Sequence, residues 1–196
     1  MRQTRKLPLS FYRRPVSAVA RDLLGRTLCR RVGPRSVLRG TIVEVEAYAG
    51  AEDRASHARM GPTRRNRPMF EAGGVAYVYF VYGMHHCLNV VTGEQGEPAA
   101  VLLRAVALEG RAPSEASGPG RLARTFSIDR ELDGATFAGS VLWIEAGSPL
   151  ADREVERTAR IGVAYAGTWA VVPWRWAVRD HPAVSGRRLT GRPKPG

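Results

Sequence analysis

The chain has little cysteine, almost no lysine and no long apolar run, and each shortage removes a class of protein. Its 196 residues contain two cysteines, Cys29 and Cys87. They show no Cys-x-x-Cys spacing, which excludes a disulfide framework and a structural zinc site and leaves both as small buried hydrophobes. Lysine occurs only as Lys6 and Lys194 in the terminal tails, so no amine is suitably placed for covalent catalysis through a Schiff base. No stretch approaches the roughly 20 apolar residues of a bilayer span, and Met1 to Leu9 is charged, without the apolar run of a signal peptide. A cytoplasmic protein is expected. Serine-hydrolase elbows, P-loops and internal repeats are absent as well.

What the chain has in excess is arginine. Lys and Arg together number 30 against 18 acidic residues, a formal net charge of +12, which favours a polyanionic partner: nucleic acid first, an acidic membrane surface second. A hydrophobic content of 44% in 196 residues suits one sizeable core rather than two. One domain over 1–196 is expected, with flexible tails at about 1–10 and 187–196.

The apolar pattern gives an α+β fold with a mostly antiparallel sheet. Ser17 is placed to cap a short helix in which Val16, Ala20, Leu23 and Leu24 share a face, and Gly25 stops it. Thr27 to Val32 and Val37 to Tyr48 read as an antiparallel pair joined at Gly33-Pro34-Arg35. In the second strand a period of two puts Thr41, Val43, Val45 and Ala47 on one face and Ile42, Glu44, Glu46 and Tyr48 on the other. Gly50 to Met69, containing His57, reads as an extended surface loop. Val75 to Val81 and His85 to Thr92 flank the Tyr82-Gly83-Met84 turn. Ala100 to Val106 is an apolar strand broken only by Arg104, a charge that needs a partner. A short helix starts at Arg121, and Val141 to Ile144 and Arg160 to Val163 read as further short strands.

The ordered series Glu44-Val45-Glu46-Ala47-Tyr48, Ser56-His57, Arg65-Asn66-Arg67-Pro68-Met69-Phe70, Tyr77 through Met84, Asn89 and Val101-Leu102-Leu103-Arg104 closely resembles the alkyladenine (3-methyladenine) DNA glycosylase family. The likeness extends through Leu23-Leu24-Gly25, Gly118-Pro119-Gly120-Arg121-Leu122, Arg160-Ile161-Gly162-Val163 and Ala166-Gly167-Thr168-Trp169, and so spans most of the chain. It implies a single domain with a curved, mostly antiparallel sheet, surrounding helices and a protruding β-hairpin. It also implies an enzyme with no metal and no organic cofactor, acting on damaged purines in double-stranded DNA as a monomer.

Residue by residue, the resemblance makes Glu46 the general base that deprotonates a water, with Arg104 helping to hold that water. Glu44 shares the face and could be the base instead, but the family's Glu-Ala-Tyr spacing selects Glu46. Tyr48, His57 and Tyr79 match the pocket that stacks the flipped base, and Asn89 matches the residue that crowds the 2-amino group of guanine. Tyr82 and Met84 match the wedge entering the minor groove. Arg64, Arg65 and Arg67 are candidates for phosphate contacts. Where vertebrate members carry aromatics after the wedge methionine, this chain has His85 and His86. The chemistry of the residues agrees with these roles, since cleaving an N-glycosidic bond builds positive charge on the sugar, and a carboxylate there both activates water and stabilises the charge. A metal site from Glu46, His57, His85, His86 and Cys87 is disfavoured, because adjacent strand residues point to opposite faces and no ligand spacing appears. The alternative from another class is a non-catalytic nucleic-acid-binding domain, which has no use for a carboxylate facing its polyanionic ligand.

Overall fold

In the computed structural model, residues 5–81 and 83–186 are described. The chain folds as a single α+β domain around one antiparallel sheet, with strand order β3-β4-β5-β2-β1-β6 and with β8 pairing β2 and β7 pairing β8. The strands are β1 (Thr27–Gly33), β2 (Ser36–Ala49), β3 (Ala76–Val81), β4 (His85–Thr92), β5 (Ala99–Ala107), β6 (Leu142–Glu145), β7 (Val155–Thr158) and β8 (Arg175–Val178). Among the described residues, three short α-helices, α1 (Leu9–Tyr12), α2 (Val16–Leu23) and α3 (Pro119–Thr125), pack around them.

Strand β2 is the centre of the fold because it changes neighbours along its 14 residues. Its first half pairs with β1. Its second half lies between β5 and β8, with Glu44, Val45 and Glu46 opposite Ala177, Trp176 and Arg175. One face of this region carries the main core, where Ile42, Val45, Ala47, Val101, Leu103 and Val106 meet α2 through Val16, Val19, Ala20 and Leu23. Helix α2 begins at Val16 after Pro15, with no side-chain cap, so Ser17 lies inside the helix rather than capping it; the fixed φ of proline serves instead to start the helix.

Strict alternation in β2 fails at one place. The register with β5 skips Val43 on one strand and Arg104 on the other, since Ile42 faces Val106, Glu44 faces Ala105 and Val45 faces Leu103. Each extra residue is a bulge, which turns two successive side chains toward one side. Ile42 therefore joins Val45 in the main core, whereas Val43 leaves the face expected for it and packs with Ala105, Ala177, Ala183 and Val184. The same irregularity turns Arg104 out of an otherwise apolar strand.

Two other expectations need correction. Arg160 to Val163 is not a strand: Gly162 has a φ of +79°, and the Arg160 side chain is buried instead of alternating outward. Residues 5–7, read as part of a loose tail, are tied to β6 by the Leu7 N–H to Ile144 carbonyl bond and the Ala146 N–H to Arg5 carbonyl bond, both 2.9 Å. The remainder of the expected tails, 1–4 and 187–196, lies outside the described residues. Both cysteines are free and buried.

Candidate active site

The face of β2 and β5 opposite the main core is also buried, but it is polar. Glu46 is fully buried. Its Oε1 accepts the Ile161 N–H at 2.7 Å, and its Oε2 accepts the Tyr48 hydroxyl at 2.9 Å and Arg104 Nη1 at 3.3 Å. An ionised carboxylate offers about four acceptor positions, so Oε1, with a single protein donor, keeps capacity for a water.

Arg104 links the two carboxylates. Its Nε donates to Glu44 Oε1 at 2.8 Å and its Nη2 to Ser185 Oγ at 3.1 Å. Burial alone would lower its pKa, but Glu46 and Glu44 outweigh that and hold it above its ordinary value, so Arg104 stays a cation. Glu44 also accepts Arg175 Nε at 2.7 Å, the Ser185 N–H at 2.6 Å and the Ser185 hydroxyl at 2.9 Å. With these donors in place, Glu44 anchors two arginines and the 181–186 segment.

Above this network opens a cavity of about 660 Å³, whose walls include Tyr48, His57, Tyr79, Asn89 and Arg104. All three donors to Glu46 belong to residues of that wall. Tyr48 packs on a small cluster of Ala55, Val163 and Ala166, while Tyr79 packs on a separate one of Ala58, Met69, Tyr77, Val91 and Ala100. The two rings are thus held from different sides. His57 meets Tyr79 edge-to-face at 4.5 Å, and its Nδ1 is 3.0 Å from the Tyr77 hydroxyl. Desolvation, with the Arg65 cation adding to it, lowers the His57 pKa below its ordinary value, which favours the neutral ring. Burial and the Glu46 carboxylate raise the Tyr48 hydroxyl, and burial raises Tyr77 to about 12, so both remain protonated donors. The Asn89 amide donates to the Tyr77 carbonyl at 3.0 Å, which fixes its orientation.

Strands β3 and β4 form the hairpin. Gly83 has a φ of +65° at its tip and Met84 is 70% exposed; Tyr82 lies outside the described residues. His85 lines the cavity and packs against Gly120, where a Cβ would come within 2.9 Å of the imidazole. His86 instead meets Phe80 at 4.9 Å. Arg64, Arg65 and Arg67 are all exposed. Arg65 differs from the other two in also donating to the Phe80 carbonyl at 3.1 Å and standing 5.7 Å over the Tyr79 ring.

Several participants left no separate signal in the sequence. Asp53, Arg175 and Ser185 look like surface polar residues in a linear reading, and only the fold shows them buried. Ile161 sits within a motif of the resemblance, but its contribution is a backbone N–H, which no side-chain pattern displays.

A bulged antiparallel sheet that buries a glutamate–arginine network beneath an aromatic cavity gives a basic protein a pocket of small-molecule size. The family model for methylpurine-DNA glycosylase matches residues 10–182, and the chain belongs to that family. A relative from Myxococcus xanthus is 48% identical over 191 residues, covering 96% of this chain and 98% of its own length. One from Anaeromyxobacter sp. is 51% identical over 183 residues, covering 92% of each chain. A third, from Methanocella arvoryzae, is 47% identical over 195 residues, covering 92% of this chain and 96% of its own. Each of the three is provisionally named a 3-methyladenine DNA glycosylase.

Proposed function

We propose that the protein is a monofunctional DNA glycosylase of base-excision repair. It flips alkylated or deaminated purines of the 3-methyladenine, 7-methylguanine, hypoxanthine and ethenoadenine type out of duplex DNA and hydrolyses the N-glycosidic bond, leaving an abasic site. The observation that carries this reading is the Glu46 carboxylate, buried under an aromatic cavity and held by three donors. In this role Glu46 takes a proton from the water that attacks the anomeric carbon and stabilises the positive charge growing on the sugar, while Arg104 holds water and carboxylate together.

Tyr48 and Tyr79 supply the stacking faces, which favour cationic alkylpurines through cation–π attraction. Asn89 crowds the 2-amino group of guanine, and His57 offers a hydrogen bond to the base edge. Tyr82 and Met84 form the wedge that fills the gap left by the flipped nucleotide. Arg64, Arg65 and Arg67 contact phosphates, which makes binding fall steeply with salt. Hydrolysis is favoured over lyase chemistry because Lys6 is not among the residues lining the cavity and instead bonds the Gly139 carbonyl at 2.7 Å beside the Trp143 ring; Lys194 lies outside the described residues. The enzyme is expected to act as a cytoplasmic monomer on the chromosome.

The test is to incubate the protein with duplexes carrying single defined lesions and to identify the free base released. Glu46→Gln should slow release by on the order of a thousandfold while lesion-DNA binding is kept. Unchanged excision by that variant would remove Glu46 from the mechanism, and binding without any release by the unaltered protein would leave a DNA-binding domain.

A further inference from the structure

The Arg160-Ile161-Gly162-Val163 motif has so far contributed one backbone N–H to Glu46, yet its arginine is the most enclosed cation of the site. The Arg160 and Asp53 side chains are both fully buried. Nη1 and Nη2 of Arg160 grip the two Asp53 oxygens at 2.5 and 2.9 Å in a bidentate pair. The same two nitrogens donate to the Ala47 carbonyl at 2.9 Å and the Trp169 carbonyl at 3.2 Å. The guanidinium carbon stands 4.7 Å from the centroid of the Tyr48 ring and 5.4 Å from that of the Trp174 ring.

Each of these partners belongs to a different piece of the candidate site. Ala47 lies between Glu46 and Tyr48. Asp53 also accepts the Ala49 and Ala55 N–H groups at 3.2 and 2.9 Å, and its carbonyl accepts the Ser56 N–H at 2.8 Å, which shapes the turn leading into His57. Trp169 closes the segment that begins at Arg160 itself, and the next residue, Ile161, supplies the N–H to Glu46 Oε1. A guanidinium is suited to this junction because its planar fork serves several acceptors at once, whereas an ammonium acts as a point charge.

We infer that Arg160, clamped by Asp53, is a positioning residue for the water-activating carboxylate. It fixes the Ile161 N–H against Glu46, presses on one face of the Tyr48 ring, and ties both to the turn that carries His57. Arg160 is not among the residues that line the cavity. This assignment rests on the proposed role of Glu46. Its effect is read in the rate of base release more than in binding, since displacement of a reacting group by about 1 Å can cost about a hundredfold in rate.

The decisive variant replaces the pair by apolar groups, Asp53→Leu with Arg160→Met, because a buried ion pair exchanged for packed hydrophobes is often stability-neutral. Thermal melting, lesion-duplex affinity and single-turnover base release are measured on the same preparation. The expected result is a lowered melting temperature, because the Ala49 and Ala55 N–H groups and the Ala47 and Trp169 carbonyls lose partners, with affinity below the melting transition near that of the unaltered protein and release slowed by about a hundredfold. If the double variant is folded and releases base at the normal rate, the pair is structural only and the inference is overturned.

Should the double variant fail to fold, Arg160→Lys, held below its melting temperature and checked by near-ultraviolet circular dichroism, takes its place. Slow release with retained binding supports positioning, and equal losses of both overturn it. A protein that releases no base even without substitution overturns the glycosylase reading, and this inference with it, whereas normal release that depends on Glu46 but not on Arg160 overturns this inference alone.

Discussion

The two faces of β2 and β5 share one backbone and one degree of burial, and they are built on opposite principles. On one side Val45, Ala47, Val101 and Leu103 pack against α2 with no polar group. On the other, Glu44, Glu46 and Arg104 are equally withdrawn from water but are joined by ion pairs of 2.8 and 3.3 Å. The apolar face gains from burial in proportion to area, and its parts are individually replaceable. The polar face gains only when every partner is present, because a buried charge left alone costs far more than the pair contributed.

Two substitutions one residue apart sharpen this contrast. Arg104→Met should be the more damaging, since among the described residues it leaves Glu46 without an ion-pair partner and Glu44 with Arg175 as its remaining one. It is expected to cost about 3–5 kcal/mol of stability and, in the folded fraction, to slow base release by about a hundredfold. Urea denaturation combined with single-turnover release measures both. Leu103→Ala should cost a similar or smaller amount, about 2–5 kcal/mol, yet leave release per folded molecule unchanged. If the two variants lost activity in parallel, the division of labour between the faces would not hold.

The smallest effect belongs to the rim. Because burial and Arg65 both disfavour the imidazolium form, the His57 ring should titrate below the ordinary 6.5 and stay neutral as pH falls to that value. Arg65→Ala removes one of the two causes and should move the midpoint upward, which the ring resonances in an NMR titration would report. A midpoint at or above 6.5 in the unaltered protein, or a downward move in the variant, would contradict this electrostatic picture.

The contrast also explains what the sequence revealed. Periodicity marks apolar faces, so α2 and strands β1 to β5 were legible, and Glu44, Glu46 and Arg104 stood out as charges amid apolar residues. The phase of Ile42 and Val43 was not legible, because two facing bulges reset the alternation and a bulge depends on both strands. Strands β7 and β8 are four residues each and carry Arg157 and Arg175, so charge obscured their pattern. Asp53 and Ser185 owe their roles to partners 107 and 141 residues away, Arg160 and Glu44, and nothing local announces such pairs. The roles proposed for Tyr48, His57, Tyr79 and Asn89 rest on family resemblance, whereas their shared cavity came from the fold.

The Ser185 contacts to Glu44 bear on the order of assembly during synthesis. Translation delivers β2 early, but the donors that Glu44 needs from Arg175 and Ser185 leave the ribosome some 131 and 141 residues later. Until then the sheet can condense on its apolar side while the opposite side holds carboxylates without their full set of partners, a pairing delayed by the cost of closing so long a loop. The nascent chain would thus acquire its core first and its chemistry last.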